Sequence, residues 1–488
     1  MGRKKKIIDE NNIIKKKKGT DRITDKVAYK RASKRSFQNK ISKEKIQTIN
    51  TNIQEADMKT VLVKDLNKYL GEEIILKGWV KNIRFSGRLI FIIFRDGTGE
   101  VQCVAFKPDL GDEKFILAKA LTLESSLIIK GVTQKHEKKE DEFEINVTDI
   151  QIIQLAHNYP IAKKDHGPEF LLEYRHLWLR SSKQNALMKI RHTCYFAICE
   201  FLNENGFYRF DSPILTPNAC EGSTTLFEVP YFDEGTAYLS QSGQLYLEAG
   251  IMSLGRVYDF GPVFRAEKSK TRKHLTEFWM MDAEAAFVEY EENLQIQEGL
   301  VRYIIQTVLN KNIKELEILE RNIEQLKKAD APFKRMNYVD AVNYLKTRGS
   351  KIANKSDFGA NDEVMLTEHL SVPIFIEKWP KEIKAFYMKR DPNNENFVLG
   401  ADLLAPEGYG EIIGGSQRED DYALLIERMN EEKMDLESLQ WFTDLRKYGS
   451  VPHSGFGIGL ERLVAWISGT AHIRETIPFP RMIYRIYP

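Results

Sequence analysis

Cysteine is scarce and scattered: the 488 residues hold four, Cys103, Cys194, Cys199 and Cys220. They form no C-x-x-C pair and no Cys/His cluster at zinc spacing, which argues against a structural zinc or a disulfide framework and fits a reduced compartment. No apolar run approaches the roughly 20 residues of a membrane-spanning helix, and the charged N-terminal stretch lacks the apolar segment of a secretory signal. The expectation is a cytoplasmic protein with no membrane partner. A G-x-x-x-x-G-K-[ST] loop is missing as well, which excludes a P-loop nucleotide site. Large net charge is also lacking, at +2 overall, so nucleic acid would be met through local patches rather than a global field.

What is present divides the chain. Residues 1–57 carry 17 Lys/Arg against 7 Asp/Glu, an excess of ten positive charges that leaves the remainder near −8. This stretch has no clean period and reads as disordered or weakly helical. Two readings stand for it: a basic arm adding nonspecific RNA affinity, or a dispensable stretch upstream of a start at Met58. From 58 to 155 the pattern is β, with runs at 74–79, 89–94, 101–106, 127–132 and 143–150 rich in β-branched and aromatic residues. Ser86-Gly87 and the DGTG of 96–99 are turn signals. Five strands in under a hundred residues predict a small closed barrel of the OB type. Residues 156–168, with two prolines, form the expected hinge. From 169 to 488 helices mix with strands: a helix at 185–205, helices at 294–328 and 338–348 within an insertion around 291–370, strands at 373–376 and 411–413, and a closing helix from 460. The fold class is α+β, without the βαβ alternation of a parallel sheet.

Two elements carry the chemistry. One is the run GFGIGLER at 455–462, with glycines at alternate positions rather than in G-x-G-x-x-G. Alternate glycines suit a strand over which a ligand lies close to the backbone, with Arg462 projecting from the first turn of the next helix. The other is FRAE at 264–267, a polar loop, and KHLTEF at 273–278. Such a hairpin presents arginine, glutamate and phenylalanine to one ligand: a guanidinium fork suits phosphate and an aromatic face suits adenine. Taken singly, each of these residues is as well explained by a salt bridge or a core ring.

Together they resemble motifs 2 and 3 of the class II aminoacyl-tRNA synthetases, and Pro213 in FDSPILTP resembles the proline of motif 1. The class I signatures HIGH and KMSKS are missing. The resemblance runs from about residue 60 to the C-terminus and implies an antiparallel catalytic sheet flanked by helices, a homodimer, and ATP, an amino acid and tRNA as substrates. It implies that Arg265 holds the α-phosphate and the amino-acid carboxylate, and that Phe278 stacks on adenine against Arg462. His274 and Arg462 meet the distal phosphates, with Lys273 in the same loop and Gly459 beneath the nucleotide. Glu267 meets the adenine edge or the tRNA end, and Asp402 and Glu411 hold Mg²⁺. Arg265, Glu411 and Arg462 are the residues implied to be catalytic.

The barrel segment GWVKNIRFSGRLIFIIFRDGTGEVQC resembles the anticodon-binding domain of the aspartate, asparagine and lysine subgroup. It implies Phe91 as a stacking platform, with Arg84 and Gln102 at flanking bases. By alternation alone Phe91 could equally be barrel core. Within the subgroup, the SGQLYLE of 242–248 is similar to asparagine enzymes rather than to the SPQLYKQ of aspartate enzymes. Leu247 stands where those carry lysine, and Glu248 follows it, which implies a pocket for an amide, with Arg418 donating to its oxygen. Glu221 and Gln244 match the residues that bind the α-amino group. EFWM at 277–280 and YGSVPHSGFG at 448–457 also resemble asparagine enzymes, making tRNA(Asn) the implied partner. The closing RIYP resembles archaeal versions. Rival readings are an aspartate–tRNA ligase of relaxed specificity, against which Leu247 and Glu248 speak, and an ammonia-dependent asparagine synthetase, against which the barrel speaks.

Overall fold

The computed structural model describes residues 59–136, 142–217, 226–268 and 271–488; the basic stretch 1–57 and Glu221 lie outside them. The chain divides into two compact units at Lys164/Asp165, within the stretch 156–168.

In the first unit β1 (Glu73–Ser86), β2 (Leu89–Arg95), β3 (Glu100–Phe106), β4 (Ser126–Lys135) and β5 (Phe143–Gln154) close a barrel in the order β1-β2-β3-β5-β4. Alternation builds it. Ile90, Ile92 and Phe94 of β2 and Val101, Cys103 and Ala105 of β3 point inward and are buried, while their neighbours face outward. The DGTG turn is held by Asp96, whose Oδ1 accepts from Thr98 N at 2.8 Å and Gly99 N at 3.1 Å, a side-chain-capped turn of the kind aspartate favours. The parallel pairing of β3 with β5 closes the ring without leaving an edge.

The second unit is built on an eight-stranded sheet. Its strands are β6 (Tyr208–Arg209), β7 (Arg256–Phe264), β8 (Glu277–Ala286), β9 (Lys334–Asn337), β10 (Ile374–Glu377), β11 (Gly400–Ala405), β12 (Gly410–Gln417) and β13 (His453–Gly459). The order is β9-β10-β11-β12-β13-β8-β7-β6, antiparallel except for the outermost pairs β9–β10 and β6–β7.

One face of this sheet packs on helices α1 (Ser182–Glu204), α3 (Tyr290–Lys311) and α6 (Leu460–Ser468). Ser181 caps α1 by accepting from Gln184 N, and Ile190, Cys194, Ala197, Ile198 and Leu202 recur at helical spacing on its buried side. They meet Met281, Ala283 and Ala285 of β8, Leu403 of β11, Ile413 of β12 and Phe456 and Ile458 of β13. Each fully buried aliphatic side chain there contributes about 1.5–3 kcal/mol, enough to fix which side of each strand faces the helices.

Two expectations change. The helix expected over 294–328 is three: α3 ends at Lys311, and Ile313–Ile318 and Ile323–Lys328 follow. Glu320 between them sits at φ 60, which no α-helix accommodates, and Asn322 caps the third through its side chain. Nor is 291–370 wholly an insertion. Leu294, Leu300, Val301 and Ile304 of α3 lie in the main core, and β9 extends the main sheet.

Candidate active site

Alternation that sends odd-numbered residues of β8 into the core sends Phe278, Met280, Asp282 and Glu284 to the other face. Phe278, Met280 and Asp282 line a cavity of about 330 Å³ there, together with Asp402 and Leu404 of β11, Gly414 and Gly415 of β12, and Gly457 and Gly459 of β13. Its size is near the lower end of small-molecule sites, about 300–1,000 Å³. The register explains the glycines: Gly455, Gly457 and Gly459 stand opposite Glu284, Asp282 and Met280. A Cβ at Gly455 would lie 2.0 Å from Glu284 Oε1, and one at Gly457 2.4 Å from Asp282 Oδ1. Buried carboxylates occupy the space that side chains would take. From Phe278 to Glu284 the strand advances roughly 20 Å, so the site has two separate ends.

The Phe278 end is built for anions and a ring. The Arg265 guanidinium lies 5.5 Å from the centre of the Phe278 ring. Arg462, in the first turn of α6, donates through Nη1 to Glu411 Oε2 at 2.9 Å and to Glu411 O at 3.2 Å. Burial opposes the charge on Glu411, but Arg462, Lys384 and Arg265 outweigh it and hold its pKa below the ordinary carboxylate range. Asp402 accepts from Lys384 Nζ at 2.6 Å. Burial, with Glu411 beside it, still pushes Asp402 up to about 7 against the pull of Lys384. His274 pairs with the Thr271 hydroxyl and lies 3.9 Å from Glu267. Burial and then the Arg462 charge lower its pKa, which favours the neutral ring. Lys273 bonds Glu363 at 3.0 Å, bridging the polar loop to helix α4 (Ala360–Thr367) along the cavity wall.

The other end is built for a small polar group. Asp282 accepts from Ser242 Oγ and from Gly243 N, both at 2.9 Å. Behind it stands Asp259, opposite in the β7–β8 register and pushed up to about 8 by burial and by the Asp282 charge. Arg418 lines the cavity just past β12. It donates through Nε to Glu284 Oε1 at 3.0 Å, through Nη2 to the same oxygen at 2.5 Å, and through Nη1 to Ser416 Oγ at 2.6 Å. Burial pushes Glu284 up to about 7, with Arg418 opposing.

Sequence reasoning put Glu248 at this end, and there the geometry differs. Glu248, on helix α2 (Gln244–Leu254), is fully buried and does not line the cavity. It pairs with Arg446 Nη2 at 2.5 Å, on helix α5 (Gln440–Lys447), and with His453 Nε2 at 3.1 Å. Burial opposes its charge, but Arg446 and His453 prevail and hold it at about 2. Leu247 turns into a cluster with Ile251 and Val257. Gln244 is also away from the cavity lining, although its buried Nε2 has no hydrogen-bond partner among the described residues. The residues missed by sequence reasoning are Asp282, Glu284 and Lys384. The signal for the first two was available: carboxylates two apart in EFWMMDAEAA, on a strand whose odd positions from 279 to 285 are apolar.

On the barrel, Phe91 lies on the outer face, only partly buried, with the Arg84 guanidinium 4.6 Å from its ring centre. Arg84 and Phe91 are directly paired across β1 and β2. Gln102, on β3, is on the same outer face and donates to Glu144 Oε2 at 3.2 Å. The side chain that alternation left undecided is therefore surface, not core.

Comparison with known proteins agrees with this architecture. Residues 167–483 match the family model described as tRNA synthetases class II (D, K and N), and residues 74–153 match that of the OB-fold nucleic acid binding domain. The asparagine–tRNA ligase of Pelotomaculum thermopropionicum is 54% identical over 431 residues, covering 88% of this chain and 100% of that protein. That of Desulforamulus reducens is 52% identical, with coverage of 88% and 100%. A solved asparaginyl-tRNA synthetase from Pyrococcus horikoshii, complexed with asparaginyl-adenylate, superposes with a TM-score of 0.85 at 45% identity, covering 88% of this chain and 99% of that one.

Proposed function

The chain belongs to the class II tRNA synthetases of the aspartate, lysine and asparagine group, and from that premise and the site we infer that it activates asparagine with ATP and transfers it to tRNA(Asn). The observation that carries the reading is one cavity with two unlike ends. Arg265, Arg462 and His274 with a phenylalanine ring suit a nucleoside triphosphate, and Arg418 held by Glu284, with Asp282 nearby, suits a small zwitterion ending in an amide.

The chemistry follows from these groups. The asparagine carboxylate attacks the α-phosphorus, pyrophosphate leaves, and the mixed anhydride forms; no side chain need bond covalently. Arg265 neutralises charge growing on the α-phosphate oxygens and aligns the carboxylate, so catalysis is positioning plus charge stabilisation. Phe278 stacks on adenine, while Arg462, His274 and Lys273 meet the outer phosphates, with Gly459 leaving room beneath. Asp282 receives the α-ammonium, with Gln244 and Glu221 as further candidates. Arg418 donates to the amide oxygen. Three of its five N–H groups are engaged by Glu284 and Ser416, which leaves two for a ligand. In the second step the 3′-hydroxyl of the terminal tRNA adenosine attacks the activated carbonyl and AMP leaves.

Asp402 and Glu411 suit Mg²⁺, which takes one or two carboxylates plus substrate phosphates. Their oxygens converge over Gly414, where a Cβ would lie 3.5 Å from Glu411 Oε1 and 3.8 Å from Asp402 Oδ1. When bound there, the ion would neutralise phosphate charge. Anticodon contact falls to Phe91 with Arg84 and Gln102, an aromatic platform with polar edges. A homodimer is supported by exposed apolar side chains on and after α1, among them Phe196, Ile214 and Leu215. The cytoplasm is the proposed location, and no described helix is long and apolar enough to cross a membrane. Asparagine-dependent ATP–pyrophosphate exchange tests the activation step directly. Exchange with no amino acid, or with none of the twenty, would overturn the reading.

A further inference from the structure

Lys384 has no role in the two chemical steps, yet its ammonium is fixed from several sides at the phosphate end of the cavity. Nζ lies 2.6 Å from Asp402 Oδ2 and 4.0 Å from the centre of the Trp379 ring. That ring is held in turn: Trp379 is buried, donates through Nε1 to Ile376 O at 2.9 Å, and packs against Tyr338 and Phe358. The backbone at Lys384 is tied by Arg428, whose Nη2 donates to Lys381 O at 2.6 Å and to Lys384 O at 3.2 Å. Burial opposes the charge on the ammonium, but Asp402, Asp357 and Glu411 outweigh it and raise its pKa.

This pairing splits the acidic pair oxygen by oxygen. Lys384 takes Oδ2 of Asp402 at 2.6 Å, and Arg462 takes Oε2 of Glu411 at 2.9 Å. The oxygens that remain, Asp402 Oδ1 and Glu411 Oε1, are the two that converge over Gly414. A register shift between Leu403 and Leu404 helps to bring them together, because it sets Glu411 opposite Leu404 of the cavity wall. A cation seated there meets one oxygen from each carboxylate. Mg²⁺ suits that supply, since it takes one or two carboxylates with substrate phosphates and keeps several waters in a strict octahedron. Ca²⁺ is larger, gathers roughly six to eight oxygens, and readily takes a carboxylate by both of its own.

We propose that Lys384 is a positioning residue for the metal: by holding Oδ2 it confines Asp402 to one-oxygen coordination, as Arg462 confines Glu411, and so makes the site select Mg²⁺ over Ca²⁺. The inference rests on the reading that Asp402 and Glu411 hold the ion that accompanies ATP. Aromatic packing around Trp379 thereby reaches the metal through one ammonium.

The test uses the full chain with ATP and no amino acid. Mn²⁺, an octahedral oxygen-binding ion like Mg²⁺, is followed by electron paramagnetic resonance while Ca²⁺ competes. The quantity read is the ratio of the Ca²⁺ to the Mn²⁺ dissociation constant. In the wild type it should exceed the ratio for ATP alone about tenfold or more, the scale on which residues behind the ligands act on metal affinity. Lys384→Met should bring the ratio down by about tenfold. Loss of the positive charge acts on both divalent ions alike and cancels in the ratio, so the change isolates the released oxygen. Lys384→Arg keeps the charge, but its planar fork takes both carboxylate oxygens, so Mn²⁺ affinity should fall about tenfold or more. Thermal unfolding verifies that each variant is folded, and the comparison of wild type with ATP alone stands whether or not they are. A wild-type ratio equal to that of ATP alone would overturn the proposal. So would an unchanged ratio in Lys384→Met, or wild-type Mn²⁺ affinity in Lys384→Arg, which a purely electrostatic role predicts. Mn²⁺ held no more tightly by chain and ATP together than by ATP alone would instead overturn the reading of Asp402 and Glu411 as the metal site, and the proposal with it.

Discussion

Replacing Arg418 by lysine keeps a positive charge at the amide end of the cavity and removes the planar fork that organises it. The guanidinium makes two bonds to Glu284 and one to Ser416, all between 2.5 and 3.0 Å, in a setting where Arg418 is 2% exposed. One ammonium on a flexible stem can keep one of these directions, and it loses the donors left over for the substrate oxygen. Each charge-assisted hydrogen bond contributes about 1.5–3 kcal/mol. Losing two should therefore cost asparagine activation at least about 3 kcal/mol, or roughly a hundredfold in kcat/KM. The assay is pyrophosphate exchange with asparagine near pH 8, alongside thermal unfolding to verify the fold. The same site predicts a pH limit in the wild type. Burial pushes Glu284 up to about 7, so its carboxylate takes a proton as pH falls through 7 and stops holding Arg418. Asparagine kcat/KM should fall across that range, and Arg418→Lys should lose the inflection. An Arg418→Lys enzyme within threefold of wild type for asparagine would refute the assignment of Arg418 to the amide.

Glu248→Gln should act on stability rather than selectivity. The native carboxylate is held at about 2, against an ordinary glutamate value of 4.5, on the order of 3 kcal/mol that is present above the unfolded pKa and lost as acid approaches the folded one. The melting temperature at neutral pH should drop while the asparagine/aspartate ratio stays put; a shifted ratio with unchanged melting would return Glu248 to the substrate. Phe91→Ala should cost about 1–3 kcal/mol of base stacking, visible in tRNA charging and silent in exchange, and equal losses in both assays would make the ring a structural one. Asp402→Asn should raise the Mg²⁺ concentration needed for half-maximal exchange at constant ATP, and an unchanged requirement would remove Asp402 from the metal site.

Local pattern carried the reading as far as local pattern reaches. Period-two alternation marks β2, β3 and β4, each with one buried and one wetter face, whereas β1 buries Ile74, Ile75 and Leu76 in succession. The alternate glycines of 455–459 announce a strand crowded from above, and β13 is crowded by Glu284 and Asp282 of β8. What crowds it was not legible, since β8 and β13 are some 170 residues apart in sequence and meet only in the folded sheet. Glu248 shows the same limit from the other side. A lysine-to-leucine change followed by a carboxylate reads as a pocket changing sign, but which side of α2 faces the cavity depends on Arg446 and His453, about 200 positions away. Phe91, ambiguous among isoleucines, is settled by Arg84 lying over its ring.

The central claim is that this cavity activates asparagine, and the direct measurement is ATP–pyrophosphate exchange with asparagine and aspartate in parallel, without tRNA. The account predicts robust exchange with asparagine. For aspartate it predicts a kcat/KM lower by two orders of magnitude or more, since a second carboxylate beside buried Glu284 and Asp282 meets like charge costing several kcal/mol. Equal exchange with the two amino acids, or a preference for aspartate, would contradict it.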